Sequence, residues 1–161
     1  MHPNEALIHQ FYTSFGARDA AGMTACYAPN VAFSDPVFGE LRGPRANAMW
    51  EMLCQRGADL TITFSNVQAD NRAGRAHWGA RYTWSATRRP VHNIIAAAFQ
   101  FENGLITRHA DTFNLYRWTR MALGLTGTLL GWTPIVQGKV RQSAAAGLER
   151  YLAGRTGSMD T

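Results

Sequence analysis

Only two cysteines, Cys26 and Cys54, occur in 161 residues. They have no pairing spacing, and no histidine stands near them at metal-ligand spacing. The sequence therefore predicts no disulfide and no metal site, and reduced thiols fit a cytoplasmic protein. Long apolar runs are also missing: the longest, Met121 to Trp132, is interrupted by three glycines and is too short to cross a bilayer. The opening M-H-P-N-E-A-L-I-H-Q has no basic start followed by an apolar core, so no signal peptide is expected. A phosphate-cradling glycine loop, a dinucleotide fingerprint and a Ser/His/Asp order are all absent, so no cofactor is expected. The formal charge is +5, but the basic residues are scattered and no aromatic-basic ladder accompanies them. Neither a nucleic-acid partner nor stable membrane insertion is predicted.

What is present is hydrophobic surface: 46% of residues, including five Trp, five Tyr and eight Phe, enough for one domain with its own core. Asn4 precedes Leu7, Ile8, Phe11, Tyr12 and Phe15 at helical spacing and is the expected cap of a first helix. Asp19 caps a second, read as running through Met23 and Cys26 to Tyr27, with Ala28-Pro29-Asn30 as its stop. A third follows Pro44 through Met49, Trp50 and Leu53 to Gly57. From Leu60 the period falls to two. Ala76, Trp78, Ala80, Tyr82 and Trp84 share a face; His92 to Phe101 is apolar on both faces, and Glu102-Asn103-Gly104 predicts a tight hairpin into 105–115. Helices followed by a strand meander imply an α+β fold, a curved antiparallel sheet wrapped around N-terminal helices, with a conical cavity at one end.

The stretch N-V-A-F-S-D-P-V-F-G-E-L-R-G, residues 30–43, places Asp35 among Val31, Phe33, Val37 and Phe38. Asp35 reads two ways: a turn cap beside proline, or a carboxylate in apolar surroundings where charge is disfavoured. In the last strand His109, Asp111 and Phe113 share a face, which can bring Asp111 to the same cavity as Asp35. Two acids in one apolar chamber push their pKa values apart and suit proton transfer beside a carbonyl or opening of a strained ring. The competing readings are a surface pair between Asp111 and Arg108 or Arg81, and a His109 that is a hydrogen-bonded strand histidine. After residue 117, Gly124, Gly127 and Gly131 interrupt a leucine-rich stretch, and Pro134 opens a helix with Val136, Val140, Ala144, Leu148 and Leu152 on one stripe. That tail reads as packing on the sheet or a sister subunit, as a lid over the cavity, or as a greasy surface touching lipid.

The helix pair with A-R-D-A-A-G-M, the F-S-D-P-V-F-G-E-L-R-G segment and the closing F-Q-F-E-N-G-L-I-T-R-H-A-D-T-F together resemble the nuclear transport factor 2-like superfamily. The branch they resemble is that of SnoaL-like polyketide cyclases and ketosteroid isomerases, over about residues 5–116. The resemblance implies a cystatin-like α+β roll, residues 1–116, with a helical extension, 117–161, packed on the same domain or on a dimer partner. It also implies a homodimer. Asp35 matches the general base of ketosteroid isomerases, but that family's oxyanion-hole tyrosine falls on Phe11 and its protonated aspartate on Ala97. Loss of both donors argues against steroid isomerisation. Asp111 matches a catalytic aspartate of limonene epoxide hydrolases, whose arginine and second aspartate fall near Trp78 and Ala80, with Arg81 as a substitute. That family's water-positioning tyrosine falls on Phe33 and its asparagine on Asp35. A polyketide-cyclase-like site needs chiefly one aspartate in an aromatic cavity. The expectation is thus a small apolar ligand, with Asp35, Asp111 and His109 as catalytic candidates. Phe11, Phe33, Trp50, Trp78, Tyr82, Trp84, Ala97, Phe99 and Phe113 are the expected walls. The alternative is a non-catalytic small-ligand binding protein.

Overall fold

The computed structural model describes residues 1–159; residues 160–161 of the expected C-terminal extension lie outside the described residues. Helix α1 (Pro3–Gly16) buries Ile8, Phe11, Tyr12 and Phe15 on one stripe, as the helical period requires. Its cap is His2 rather than Asn4. The His2 ring accepts the Asn4 N–H and the Glu5 carboxylate accepts the His2 N–H, a reciprocal box. Asn4 is buried instead, and its Nδ2 donates to the Asp70 carbonyl at 2.8 Å, tying the helix to a turn 66 residues away.

Helix α2 (Ala20–Thr24), capped by the Asp19 carboxylate, stops before Tyr27, which begins strand β1 (Tyr27–Asp35). The sequence reading carried that helix to Tyr27; long-range pairing with Ile106 overrides the local pattern. Ala28-Pro29-Asn30 accordingly lies inside the strand, at a register shift where a proline without an N–H does least harm. Strand β2 (Gly39–Arg42) returns against β1, and α3 (Pro44–Arg56) follows. Then come β3 (Thr61–Ala69), β4 (Ala73–Trp84), β5 (Arg89–Glu102) and β6 (Leu105–Thr112), in one sheet of order β2-β1-β6-β5-β4-β3.

The α+β fold is as expected, with one pairing that differs: β1 runs parallel to β6. The sequence shows only sequential hairpins, and a parallel neighbour from the far end of the chain leaves no turn signal. The β5–β6 turn has Asn103 and Gly104 both at positive φ, 52° and 76°, the geometry of a tight two-residue hairpin. Strand β5 is apolar on both faces, as expected, but only one face is buried. Val91, Asn93, Ile95, Ala97, Phe99 and Phe101 point inward, while Ile94, Ala96 and Ala98 are exposed. Irregular registers in β3–β4 and β5–β6 bend the sheet. Helix α1 covers β3 and β4, and α3 covers β1 and β2.

Beyond the sheet, α4 (Leu115–Leu123), α5 (Leu125–Leu130) and α6 (Pro134–Met159) complete the described chain. Helix α4 lies on β5, and α6 runs along α3, with Leu148 buried and Arg155 paired to Glu51 at 3.0 Å. The open end of the cone is therefore walled by the C-terminal helices.

Candidate active site

The space between sheet, α3 and α6 is a pocket of about 460 Å³, a volume suited to a small organic ligand. Its walls are mostly aromatic. Phe33, Trp50 and Trp78 stand toward the closed end, and Tyr82, Trp84 and Phe113 stand toward α4. Trp118, Val140 and Ala144 of the C-terminal helices complete it. Asp35 and Asp111 both line it.

Asp111 ends a chain of hydrogen bonds drawn from four elements. The Trp50 indole N–H, on α3, donates to the Tyr27 hydroxyl of β1 at 2.8 Å. An indole only donates, so Tyr27 accepts there and has its own proton for His109 Nδ1, 2.8 Å away. That leaves Nε2 as the protonated ring nitrogen, donating to Asp111 Oδ1 at 2.9 Å. The Trp78 indole of β4 donates to the same oxygen at 3.3 Å. His109 is fully buried, stacked on Trp50 at 5.9 Å between ring centres, with Phe33 edge-on at 5.2 Å. Burial first, and the Asp111 charge second, push the Tyr27 phenol well above its ordinary value, which keeps it a proton donor in this chain. Asp111 Oδ2 makes no hydrogen bond among the described residues, so one oxygen is held while the other is free for a ligand.

Asp35 is arranged differently. Its Oδ1 accepts the backbone N–H of Val37 at 2.8 Å and of Phe38 at 2.5 Å, an Asx turn that the Asp-Pro step favours. Burial nevertheless raises its pKa from 3.8 to about 6. The two amide bonds oppose the shift and the Asp111 charge adds to it. The turn-cap and buried-acid readings thus describe one side chain. Further polar residues line the ligand space, the exposed Asp59, Arg56 and Arg150 among them. The Trp118 indole donates to the Tyr82 hydroxyl at 2.7 Å, which leaves the phenolic proton free, and the Asn93 amide sits on the same wall.

Phe11, Ala97 and Phe99, expected as walls, do not line the pocket: they are buried core residues, Phe11 and Phe99 packed behind His109 and Ala97 opposite Asp111 in the β5–β6 register. The Phe11 and Phe99 rings lie 5.3 and 4.4 Å from the imidazole. His109 itself does not line the ligand space; it hydrogen-bonds to Asp111, which does. Alternation along a strand gives the face on which a residue lies, while its depth in the cone depends on helices that the period does not place. Arg81 and Arg108 are exposed, so neither pairs with Asp111 nor substitutes for an active-site arginine. Tyr27, Asn93 and Trp118 were missed by sequence reasoning. Tyr27 was assigned to a helix end, and Asn93 and Trp118 carry no local signal beyond their inward strand position and helical stripe. Among the described residues no cluster of His, Cys, Asp and Glu could hold a metal ion.

A family model for the SnoaL-like domain matches residues 8–109. No curated protein matches the chain. Among solved structures, an NTF2-like protein of unknown function from Burkholderia pseudomallei is 19% identical, with a TM-score of 0.64 over 75% of this chain and 98% of its own. A LEH-like epoxide hydrolase from M. tuberculosis is 16% identical, TM-score 0.62, over 80% and 96%. A protein with a ketosteroid isomerase-like fold from Catenulispora acidiphila, in complex with trimethylamine, is 12% identical, TM-score 0.65, over 80% and 97%. These likenesses establish the fold.

Proposed function

Because the chain belongs to the SnoaL-like domain family, we propose that its pocket takes one small, mostly apolar molecule and moves a proton on it. Asp35 and Asp111 are the acid/base pair, and His109 is a positioning residue behind Asp111. The observation that carries this reading is the placement of the Asp35 and Asp111 carboxylates on one aromatic pocket, with Asp35 raised to about 6. A group with that value takes up and returns a proton near neutral pH, worth about 10² to 10⁴ in rate. Asp111 offers Oδ2 to the group that exchanges it, and its position is fixed by the Tyr27–His109 chain.

The hydrogen-bond donors that ketosteroid isomerases use for a developing oxyanion have no counterpart here, since Phe11 and Ala97 carry no donor group. We assign that task to the free Tyr82 hydroxyl and the Asn93 amide, which face the ligand space from β4 and β5. The reaction class is isomerisation, cyclisation or epoxide opening, and solved relatives in the fold include an epoxide hydrolase.

The test compares Asp35→Asn and Asp111→Asn against a panel of cyclic enones and epoxides, measuring binding and turnover separately. Turnover falling about 10²-fold or more in both variants, with binding retained, is the expected result. Binding by the wild type, without turnover of any of these compounds, would instead favour a carrier for small apolar ligands.

A further inference from the structure

Helix α5 is turned inside out relative to an ordinary surface helix. Gly127 is buried, and a Cβ there would collide with the Thr119 carbonyl of α4; Gly131 meets the Thr119 side chain in the same way. The helix therefore packs through glycines and sends its leucines outward. Leu125 is 74% exposed, Leu129 61% and Leu130 50%, and they are followed by Trp132 at 66% and Ile135 at 72% on the first turn of α6. Large exposed apolar patches of this kind mark interaction surfaces. Their polar neighbours are internally satisfied. The Trp132 indole donates to the Leu129 carbonyl at 3.1 Å, and the Thr128 hydroxyl donates to the Gly124 carbonyl at 3.1 Å.

The charges around this elbow have one sign. Residues 112–148 contain no Asp or Glu but carry Arg117, Arg120, Lys139 and Arg141. Arg89 joins them, its guanidinium against Gly124 and its Nε donating to the Met121 carbonyl at 2.9 Å. All five are exposed, and among the described residues none forms a salt bridge. A symmetric contact between two copies through this elbow would set cations against cations with no acid in the span to pair them. An anionic lipid surface complements both features: headgroups meet the arginines and lysine while the leucines and Trp132 enter the interface. No described helix is long and apolar enough to cross a membrane, so the attachment is peripheral.

We propose that the α5–α6 elbow docks this protein on anionic membrane surfaces. This inference stands apart from the pocket chemistry. The test is co-sedimentation of the full chain with phosphatidylcholine vesicles, with and without phosphatidylglycerol, compared among wild type, L125Q/L129Q/W132Q and R120Q/K139Q. The substituted side chains are exposed, and unchanged far-UV circular dichroism verifies that each variant folds. The wild type is expected to partition onto the anionic vesicles. The apolar variant should lose about ten-fold or more, and the charge variant about five-fold per cation, with a steep dependence on salt. No partition of the wild type, or partition unchanged in the apolar variant, would overturn the proposal. So would a dimer, found by light scattering, that the apolar variant dissolves while vesicles go unbound, because the elbow would then be covered by a second copy.

Discussion

The two ends of the pocket hold their carboxylates by opposite means. At the closed end, Asp111 is fixed by side chains from β4 and β6, and through them from β1 and α3, in a buried network that partners every polar atom except the Oδ2 left to the ligand. At the mouth, Asp35 is fixed by two amides of its own turn. The difference teaches where each group is vulnerable. A network drawn from four elements fails when any member is removed, since the remaining donors and acceptors are stranded in the dry interior. A turn cap needs only an acceptor oxygen, so charge there can change without loss of geometry.

The sharpest way to break this contrast is His109→Ala. It strands the Tyr27 hydroxyl and removes a donor from Asp111 at a fully buried position, and it should cost about 4 kcal/mol. Thermal unfolding would read this as a drop of roughly 10 °C; a drop of a degree or two would mean that the network does not hold the closed end. Asp35→Asn should go the other way. Asp35 titrates at about 6 when folded against an ordinary 3.8, so between those values the folded chain keeps the extra proton and stability falls as pH rises. Above pH 6 the loss is complete, about 3 kcal/mol. The asparagine variant keeps the acceptor for Val37 and Phe38, lacks the charge, and should be more stable than wild type at pH 7.5, with a flatter stability profile between pH 4 and 6. Equal stability at pH 7.5 would show that the carboxylate is better solvated than its burial implies. The smallest effect is expected from Tyr12→Phe. Tyr12 is buried in the α1 core, and its hydroxyl has no partner among the described residues, so its removal should stabilise by about 1 kcal/mol without altering ligand binding. A destabilised variant would reveal a partner for that hydroxyl.

Much of this was legible from the chain, and unevenly. The D-P-V-F turn around Asp35 could be read because its cause is local: a proline, a short acceptor side chain and two amides within three residues. The inward face of β4, the hairpin at Asn103-Gly104 and the helical stripes were legible for the same reason. The closed end was not. Tyr27 meets His109 across 82 residues, through a parallel pairing that leaves no turn between its strands, and the helical pattern before Tyr27 pointed the wrong way. Phe11 and Phe99 illustrate the complementary error. They lie on the predicted face, yet sit one layer too deep to touch a ligand, because depth in a cone is set by how helices lie across the sheet.

The central claim is that Asp35 and Asp111 share one water-poor chamber. Carbon-detected NMR titration of the Asp35 carboxyl group, in the wild type and in Asp111→Asn, tests it most directly. A midpoint of about 6, falling when the charge at 111 is removed, is the predicted result. A midpoint near the ordinary 3.8, or one indifferent to the change at 111, would contradict the account.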